Sequence, residues 1–219
     1  MPIRAVIFDL DGVLADSEPW WKEIDADLLR EYGVAYRGEH HRSVLGVSYP
    51  IAVEFYRHTF GITAPAEEIM WRRGQIAMDY FATRIGLFPP AKEVVEQLRQ
   101  MRLSLAVATS SLAASALPFL DRHGLTNVFQ VIVTGDAINR GKPAPDIYLA
   151  AAEKMAVATN LCLVIEDSLA GVAAGTAAKM QVAAIPDHRF VDPQPYRAAA
   201  DYVVADLCDI PPLVRKLNS

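Results

Sequence analysis

Short apolar runs that stop abruptly at polar residues set the pattern of this chain. Four stand out: Ala5-Val6-Ile7-Phe8 before Asp9, Leu103 to Ala108 before Thr109, Val131-Ile132-Val133 before Thr134, and Leu161 to Ile165 before Glu166. Unbroken apolar runs of this length read as strands buried on both faces. Val182 to Ile185 and Tyr202-Val203-Val204 supply later strands. Between the runs lie segments with helical spacing: Ala91 to Arg102 (Val94, Val95, Leu98, Met101), Ala113 to His123 and Asp146 to Met155. Buried strands alternating with helices predict an α/β fold around a parallel sheet.

From about Ser17 to Arg84 the alternation lapses. No strand-like run occurs there, and helix-like stretches cover Trp20 to Tyr32, Pro50 to Phe60 and Ala66 to Arg84. A helical insertion after the first strand is expected, with residues 1–16 and 87–219 forming the α/β core and residues 17–86 the insertion. Its exit, Gly86-Leu87-Phe88-Pro89-Pro90, reads as a hinge, because paired prolines stop one helix and direct the next.

Composition narrows the function classes. With Asp+Glu 26 against Lys+Arg 21 the formal charge is -5, and no basic run offers phosphate-neutralising side chains to a nucleic acid. Nucleic acid and anionic membrane surfaces are therefore excluded as expected partners. Cys162 and Cys208 have no metal-binding or disulfide spacing and read as core residues of a reduced compartment. Met1-Pro2-Ile3-Arg4 leads into a stretch that meets acids within a few positions, unlike a signal peptide, and no apolar run approaches the roughly 20 residues of a membrane span. A soluble cytoplasmic protein is expected; its oligomeric state is not legible.

In an open parallel sheet ligands bind beyond the carboxyl ends of the strands, so the residues after each run are candidates to meet. Asp9 and Asp11 follow the first, Thr109 the second, Lys142 lies beyond the third, and Glu166 and Asp167 follow the fourth. Crowded carboxylates repel and call for a cation, and hard oxygen ligands beside a phosphate favour Mg²⁺. A hydroxyl and an ammonium then remain to hold an anionic group. Plainer roles compete: Thr109, Ser110 and Ser111 suit a helix cap as well as a phosphate site, and Glu166-Asp167-Ser168 suits the start of a helix over Leu169 to Met180. That helix, rich in Ala and Gly, is expected to pack closely on the sheet. Trp71 and Phe81 are expected to fill the interior of the insertion, and His123 with Gly124 to end a helix.

Asp9-Leu10-Asp11-Gly12-Val13-Leu14, Thr109 after a strand, Gly141-Lys142-Pro143-Ala144-Pro145-Asp146 and Ile165-Glu166-Asp167-Ser168, in this order, resemble the four motifs of the haloacid dehalogenase-like superfamily. The likeness is to its phosphatase and phosphomutase branch, whose Rossmann-like core carries a small helical cap after the first strand. The resemblance implies that Asp9 is a nucleophile forming an aspartyl-phosphate and that Asp11 is the acid and base. It implies that Thr109 and the Ser110 amide hold a phosphoryl oxygen, with Ser111 beside them, and that Lys142 neutralises charge. Mg²⁺ would be held by Asp9, the Asp11 carbonyl, Asp167 and Glu166, while Gly12 lets the backbone approach the phosphate.

Within that superfamily, the dehalogenases and phosphonate-cleaving enzymes lack the second acid of the pair, so Asp11 implies transfer from an oxygen leaving group. Asp16 to Trp21 looks like the start of the cap in sugar and polyol phosphate phosphatases. The histidine and arginine usual in β-phosphoglucomutases are replaced by Trp21 and Tyr49, although Arg42, Arg72 or Arg73 could stand in for the arginine. The expected protein is a Mg²⁺-dependent phosphatase of a small phosphorylated metabolite, with Glu18, Trp21, Gly46 and Val47 choosing the substrate. A phosphomutase and a phosphoglycolate phosphatase are the alternatives within the resemblance. A non-catalytic binding protein is disfavoured, because Asp9, Asp11, Lys142 and Asp167 are all retained.

Overall fold

The computed structural model describes residues 2–37, 40, 43–44 and 49–219. The chain divides into two compact units, Met1–Asp16 with Gly86–Ser219, and Ser17–Ile85. Helices of the described residues are α1 (Glu18–Glu31), α2 (Tyr49–Phe60) and α3 (Ala66–Thr83) in the smaller unit. The larger unit contains α4 (Ala91–Gln100), α5 (Ala113–Arg122), α6 (Asp146–Met155), α7 (Leu169–Ala177), α8 (Gln194–Ala199) and α9 (Ile210–Leu217).

Six parallel strands form the sheet of the larger unit: β1 (Ala5–Phe8), β2 (Ser104–Ala108), β3 (Val131–Val133), β4 (Cys162–Glu166), β5 (Gln181–Ala184) and β6 (Tyr202–Val203), in the order β3-β2-β1-β4-β5-β6. All of β1 and β4 is buried, as expected of strands covered by helices on both faces. The chain winds outward from β1 in one direction through β2 and β3, then returns to the other side at β4. That reversal makes the carboxyl end of β1 the topological switch point, where such sheets bind ligands.

Strand alternation sorts the core. Ala5 and Ile7, Ala106 and Ala108, Cys162 and Val164, and Val182 and Ala184 share one cluster with Ile147, Tyr148, Ala151, Ala152 and Met155 of α6 and Val172 and Ala174 of α7. The small side chains of α7 allow close approach: a Cβ on Gly175 would lie 2.8 Å from Val182 Cγ2, too near to be accommodated without movement. The smaller unit has its own core of Leu28, Leu29, Val53, Tyr56, Ile62 and Ile69, with Val44 and Ala52.

Several sequence expectations need correction. Trp71 is 64% exposed on α3, whereas Phe81 on the same helix is buried. Cys208 is exposed and only Cys162 is buried. The α7 helix stops at Ala177 rather than Met180. Thr109, Ser110 and Ser111 do not cap α5, whose N-cap is Leu112; the Ala113 amide donates to Asp136 Oδ1 at 3.1 Å instead. The Gly86–Pro90 stretch begins where the two units divide and is hydrogen-bonded to the larger unit. The Asp16 amide donates to Gly86 O (3.0 Å) and the Phe88 amide to Leu14 O (2.9 Å). Arg189 bonds Asp16 at 2.6 Å while lying 5.8 Å from the Phe88 ring centroid.

Candidate active site

Register brings the predicted residues to one edge of the sheet. Phe8 is level with Val107 of β2 and Ile165 of β4, so Asp9, Thr109 and Asp167 emerge from three adjacent strands, which lie about 4.8 Å apart from one to the next. The Asp9 amide donates to Ile165 O at 2.9 Å and the Thr109 amide to Val133 O at 3.0 Å, extending the ladder one residue past the strands. Asp9 and Thr109 are buried, at 5% and 0% exposure.

Lys142, in the loop before α6, reaches into this edge with a side chain only 7% exposed. Its ammonium donates to Asp9 Oδ1 at 2.5 Å, Glu166 Oε1 at 2.6 Å and Ala108 O at 3.3 Å. Glu166 is the last residue of β4 rather than the first beyond it, and alternation places it on the same face as Cys162 and Val164. There it is fully buried. Its Oε1 also accepts from the Tyr148 hydroxyl at 2.6 Å, and its Oε2 accepts from the Asp167 amide, the Ser168 amide and Ser168 Oγ at 3.0, 2.9 and 3.0 Å. Ser168 caps α7, accepting from the Gly171 amide at 3.0 Å. A Cβ on Gly171 would overlap the Glu166 carboxylate, so only glycine leaves room for that side chain beneath the helix.

Asp11 is held from the other side. Ser111 Oγ donates to its Oδ2 at 2.7 Å and Thr109 Oγ1 at 3.4 Å, while the Ser111 amide donates to Thr109 Oγ1 at 3.0 Å. Ser111, expected beside a substrate, thus grips the second acid. Gly12 has φ +73°, and a Cβ there would collide with the Asp167 carboxylate; the turn and the close approach both require glycine.

Burial drives the Asp9 carboxyl up to about 7; Lys142 opposes this, and the charges of Glu166 and Asp11 add to it. Burial also acts on Glu166, but the Lys142 ammonium and the hydrogen bonds from Lys142, Tyr148 and Ser168 override it and hold the carboxyl below its ordinary value. Burial works against the charge of Lys142 too, yet Asp9 and Glu166 outweigh it and keep the ammonium strongly protonated. One cation therefore serves two buried carboxylates, with a third acid alongside.

The donor set suits a hard cation. Among the described residues no three His, Cys, Asp or Glu side chains converge as a finished metal cage. Mg²⁺, however, is typically held by one or two carboxylates, with waters and substrate phosphate completing its shell. Asp9, and Asp167 packed over Gly12, offer oxygen donors of that kind.

The remaining predicted residues lie in the smaller unit. Glu18 opens α1; Trp21 meets Phe81 edge-on at 6.2 Å and carries the Arg73 guanidinium 4.6 Å above its ring. Arg73 is ion-paired with buried Asp25, whose Oδ2 accepts from Tyr56 at 2.6 Å, and Tyr56 in turn meets Tyr36 at 3.3 Å. Arg72 makes a two-pronged pair with Glu31 at 2.6 and 2.7 Å. Arg42, Gly46 and Val47 lie outside the described residues. Tyr148, Ser168 and Gly171 were not anticipated as site residues. A readable clue to Tyr148 is that a hydroxyl on the otherwise apolar face of α6 requires an acceptor.

Fold and site together define an α/β enzyme built on carboxylates at the switch point of a parallel sheet. Comparison with known proteins narrows the class. Residues 6–185 match the haloacid dehalogenase-like hydrolase family, and the chain belongs to it. It is 34% identical over 179 residues to the phosphorylated carbohydrates phosphatase of Thermotoga maritima, covering 82% of this chain and 83% of that protein. It is 28% identical over 197 residues to hexitol phosphatase B of Escherichia coli K12, covering 86% and 89%. A hydrolase from Pseudomonas syringae superposes with a TM-score of 0.79 at 26% identity, covering 99% and 100%.

Proposed function

We propose that this chain is a Mg²⁺-dependent phosphatase of small phosphorylated metabolites, sugar or polyol phosphates foremost, working through an aspartyl-phosphate on Asp9. The observation that carries the reading is the 2.5 Å contact between the Lys142 ammonium and Asp9 Oδ1, in the same loop as an Asp11 fixed by Ser111. The names of the phosphatases it resembles point to the substrate class.

In this reading an Asp9 oxygen attacks phosphorus as the bond to the alkoxide breaks, and Asp11 gives the leaving oxygen its proton. Asp11 then takes a proton from water, whose oxygen attacks phosphorus and displaces Asp9. Lys142 faces the charge that gathers on the transferring group. Thr109 and the Ser110 amide hold a phosphoryl oxygen. Mg²⁺, held by Asp9, the Asp11 carbonyl and Asp167, would supply further positive charge. Glu166, with both oxygens occupied by protein donors, is assigned to holding Lys142 rather than to the metal. The smaller unit acts as a cap that chooses the leaving group. Arg72 and Arg73, two of the three arginines that could clamp a second phosphate, are committed to Glu31 and Asp25, which favours the phosphatase over the mutase.

Phosphate release from a panel of sugar, polyol and two-carbon phosphates, including phosphoglycolate, tests this. Activity should require Mg²⁺, vanish in EDTA, and fall on the order of 10³-fold or more in Asp9→Asn. EDTA-resistant turnover or a fully active Asp9→Asn would sink the mechanism. Interconversion of hexose 1- and 6-phosphates without phosphate release would replace it with a mutase.

A further inference from the structure

We infer that Tyr148 is a positioning residue for phosphoryl transfer, acting through Glu166 to keep the Lys142 ammonium directed at Asp9; the inference rests on the aspartyl-phosphate reading above. Two buried carboxylates compete for this one ammonium. An ammonium has three N–H groups, and here they meet Asp9 Oδ1, Glu166 Oε1 and Ala108 O. The Tyr148 ring lies against the same group, 5.1 Å from Nζ to the centroid.

The Tyr148 hydroxyl donates at 2.6 Å to the same Glu166 oxygen that Lys142 uses, also at 2.6 Å. The Glu166 carboxylate is thereby satisfied at both oxygens, by five protein hydrogen bonds made by Lys142, Tyr148, Asp167 and, twice, Ser168. Its demand on Lys142 is correspondingly reduced, because charge-assisted bonds share the anion's field among the donors present. This matters at one moment of the reaction. As Asp9 forms its bond to phosphorus it ceases to be an anion, the charge leaving with the alkoxide that Asp11 protonates, and the negative charge next to Lys142 becomes that of the transferring phosphoryl oxygens. Lys142 must then follow that charge instead of falling back onto Glu166. With the hydroxyl gone, Oε1 would have only Lys142, and a buried carboxylate short of donors pulls its remaining partner harder.

Packing alone does not call for the hydroxyl. The other buried positions of α6 are Ile147, Ala151, Ala152 and Met155, and phenylalanine would fill the same space without the cost of burying a polar group. The hydroxyl is there with one acceptor, and that acceptor belongs to the site.

Tyr148→Phe keeps the ring and its contact with Lys142 and removes only the hydroxyl. With the best substrate of the panel, kcat should fall about tenfold while KM stays within about twofold, the signature of an interaction used in the transition state. If Tyr148 works through Glu166, the same change in a Glu166→Gln background should cost less than about twofold more, because the two effects are coupled. Tyr196→Phe, a buried tyrosine of the same apolar cluster, should leave kcat unchanged. The inference is overturned by an unchanged kcat in Tyr148→Phe, by a loss carried by KM or by the thermal midpoint alone, by fully multiplicative losses in the double variant, or by an equal loss in Tyr196→Phe. A wild-type chain that releases no phosphate, or an active Asp9→Asn, removes the underlying reading and this inference together. An active wild type with a dead Asp9→Asn and a normal Tyr148→Phe removes this inference only.

Discussion

Each unit of the molecule buries an ion cluster, and the two are built on opposite principles. In the smaller unit Arg73 meets one carboxylate among the described residues, Asp25, with 12% and 2% of the side chains exposed; Tyr56 occupies the second Asp25 oxygen, and Trp21 lies beneath the guanidinium. Among the described residues that charge is matched one to one. In the larger unit Lys142 serves both Asp9 and Glu166, with Asp11 adding a further negative charge against Asp9. A balanced buried pair is architecture, expensive to break and indifferent to added ions. An unbalanced one is a capacity: its surplus anion is uncomfortable until a cation arrives.

The sharpest way to break the comparison is to remove one acid from each cluster. Asp25→Asn strands a buried guanidinium and should cost about 3–5 kcal/mol in urea unfolding. Asp9→Asn, which in the proposed reading abolishes turnover, should leave metal-free stability within about 1 kcal/mol, since Lys142 keeps Glu166 and the crowding is relieved. Equal losses would mean that both clusters are architectural.

A second, smaller effect depends on pH. The Asp9 carboxyl stands at about 7 in the folded chain, above its unfolded value. Its favourable contribution is therefore complete below the unfolded pKa and is lost as pH rises through about 7. In the proposed reading Mg²⁺ binds at Asp9 and has to displace that proton below pH 7, so affinity should fall about tenfold between pH 8 and pH 6, equivalent to about 1.4 kcal/mol. Calorimetric titrations across that window would check it; a flat affinity would place the metal away from Asp9. Smallest of all, Trp71→Ala on the exposed side of α3 should change the smaller unit's stability by less than about 0.5 kcal/mol. A larger loss would show that Trp71 is engaged more deeply than its 64% exposure implies.

The sheet was legible because β1 and β4 are buried on both faces, so their apolar runs are unbroken and the first acid after each is conspicuous. Asp9 and Asp11 could be read for that reason, whereas Lys142 was readable only from its place in Gly141-Lys142-Pro143. Glu166 misled: an acid after five apolar residues looks like a loop residue, whereas the pleat carries it into the core on the face of Val164. Only the pairing of strands reveals that face, and with it Tyr148. Trp71 misled in the other direction, because hydrophobicity predicts burial on average while a helix still has an outward side. Ser111 was assigned to the substrate; its bond to Asp11 depends on how the β2–α5 turn folds, which no spacing encodes.

Gly171 carries a lesson for anyone who would redesign this chain. It sits inside α7 in ordinary helical conformation, where a stability programme would replace glycine with alanine and expect to gain about 1 kcal/mol of helix propensity. The added methyl would instead land on the Glu166 carboxylate, pushing it off Lys142. A substitution that looks like improvement from the backbone would thus dismantle the site from behind, by putting a methyl group where the enzyme has space for a hydrogen.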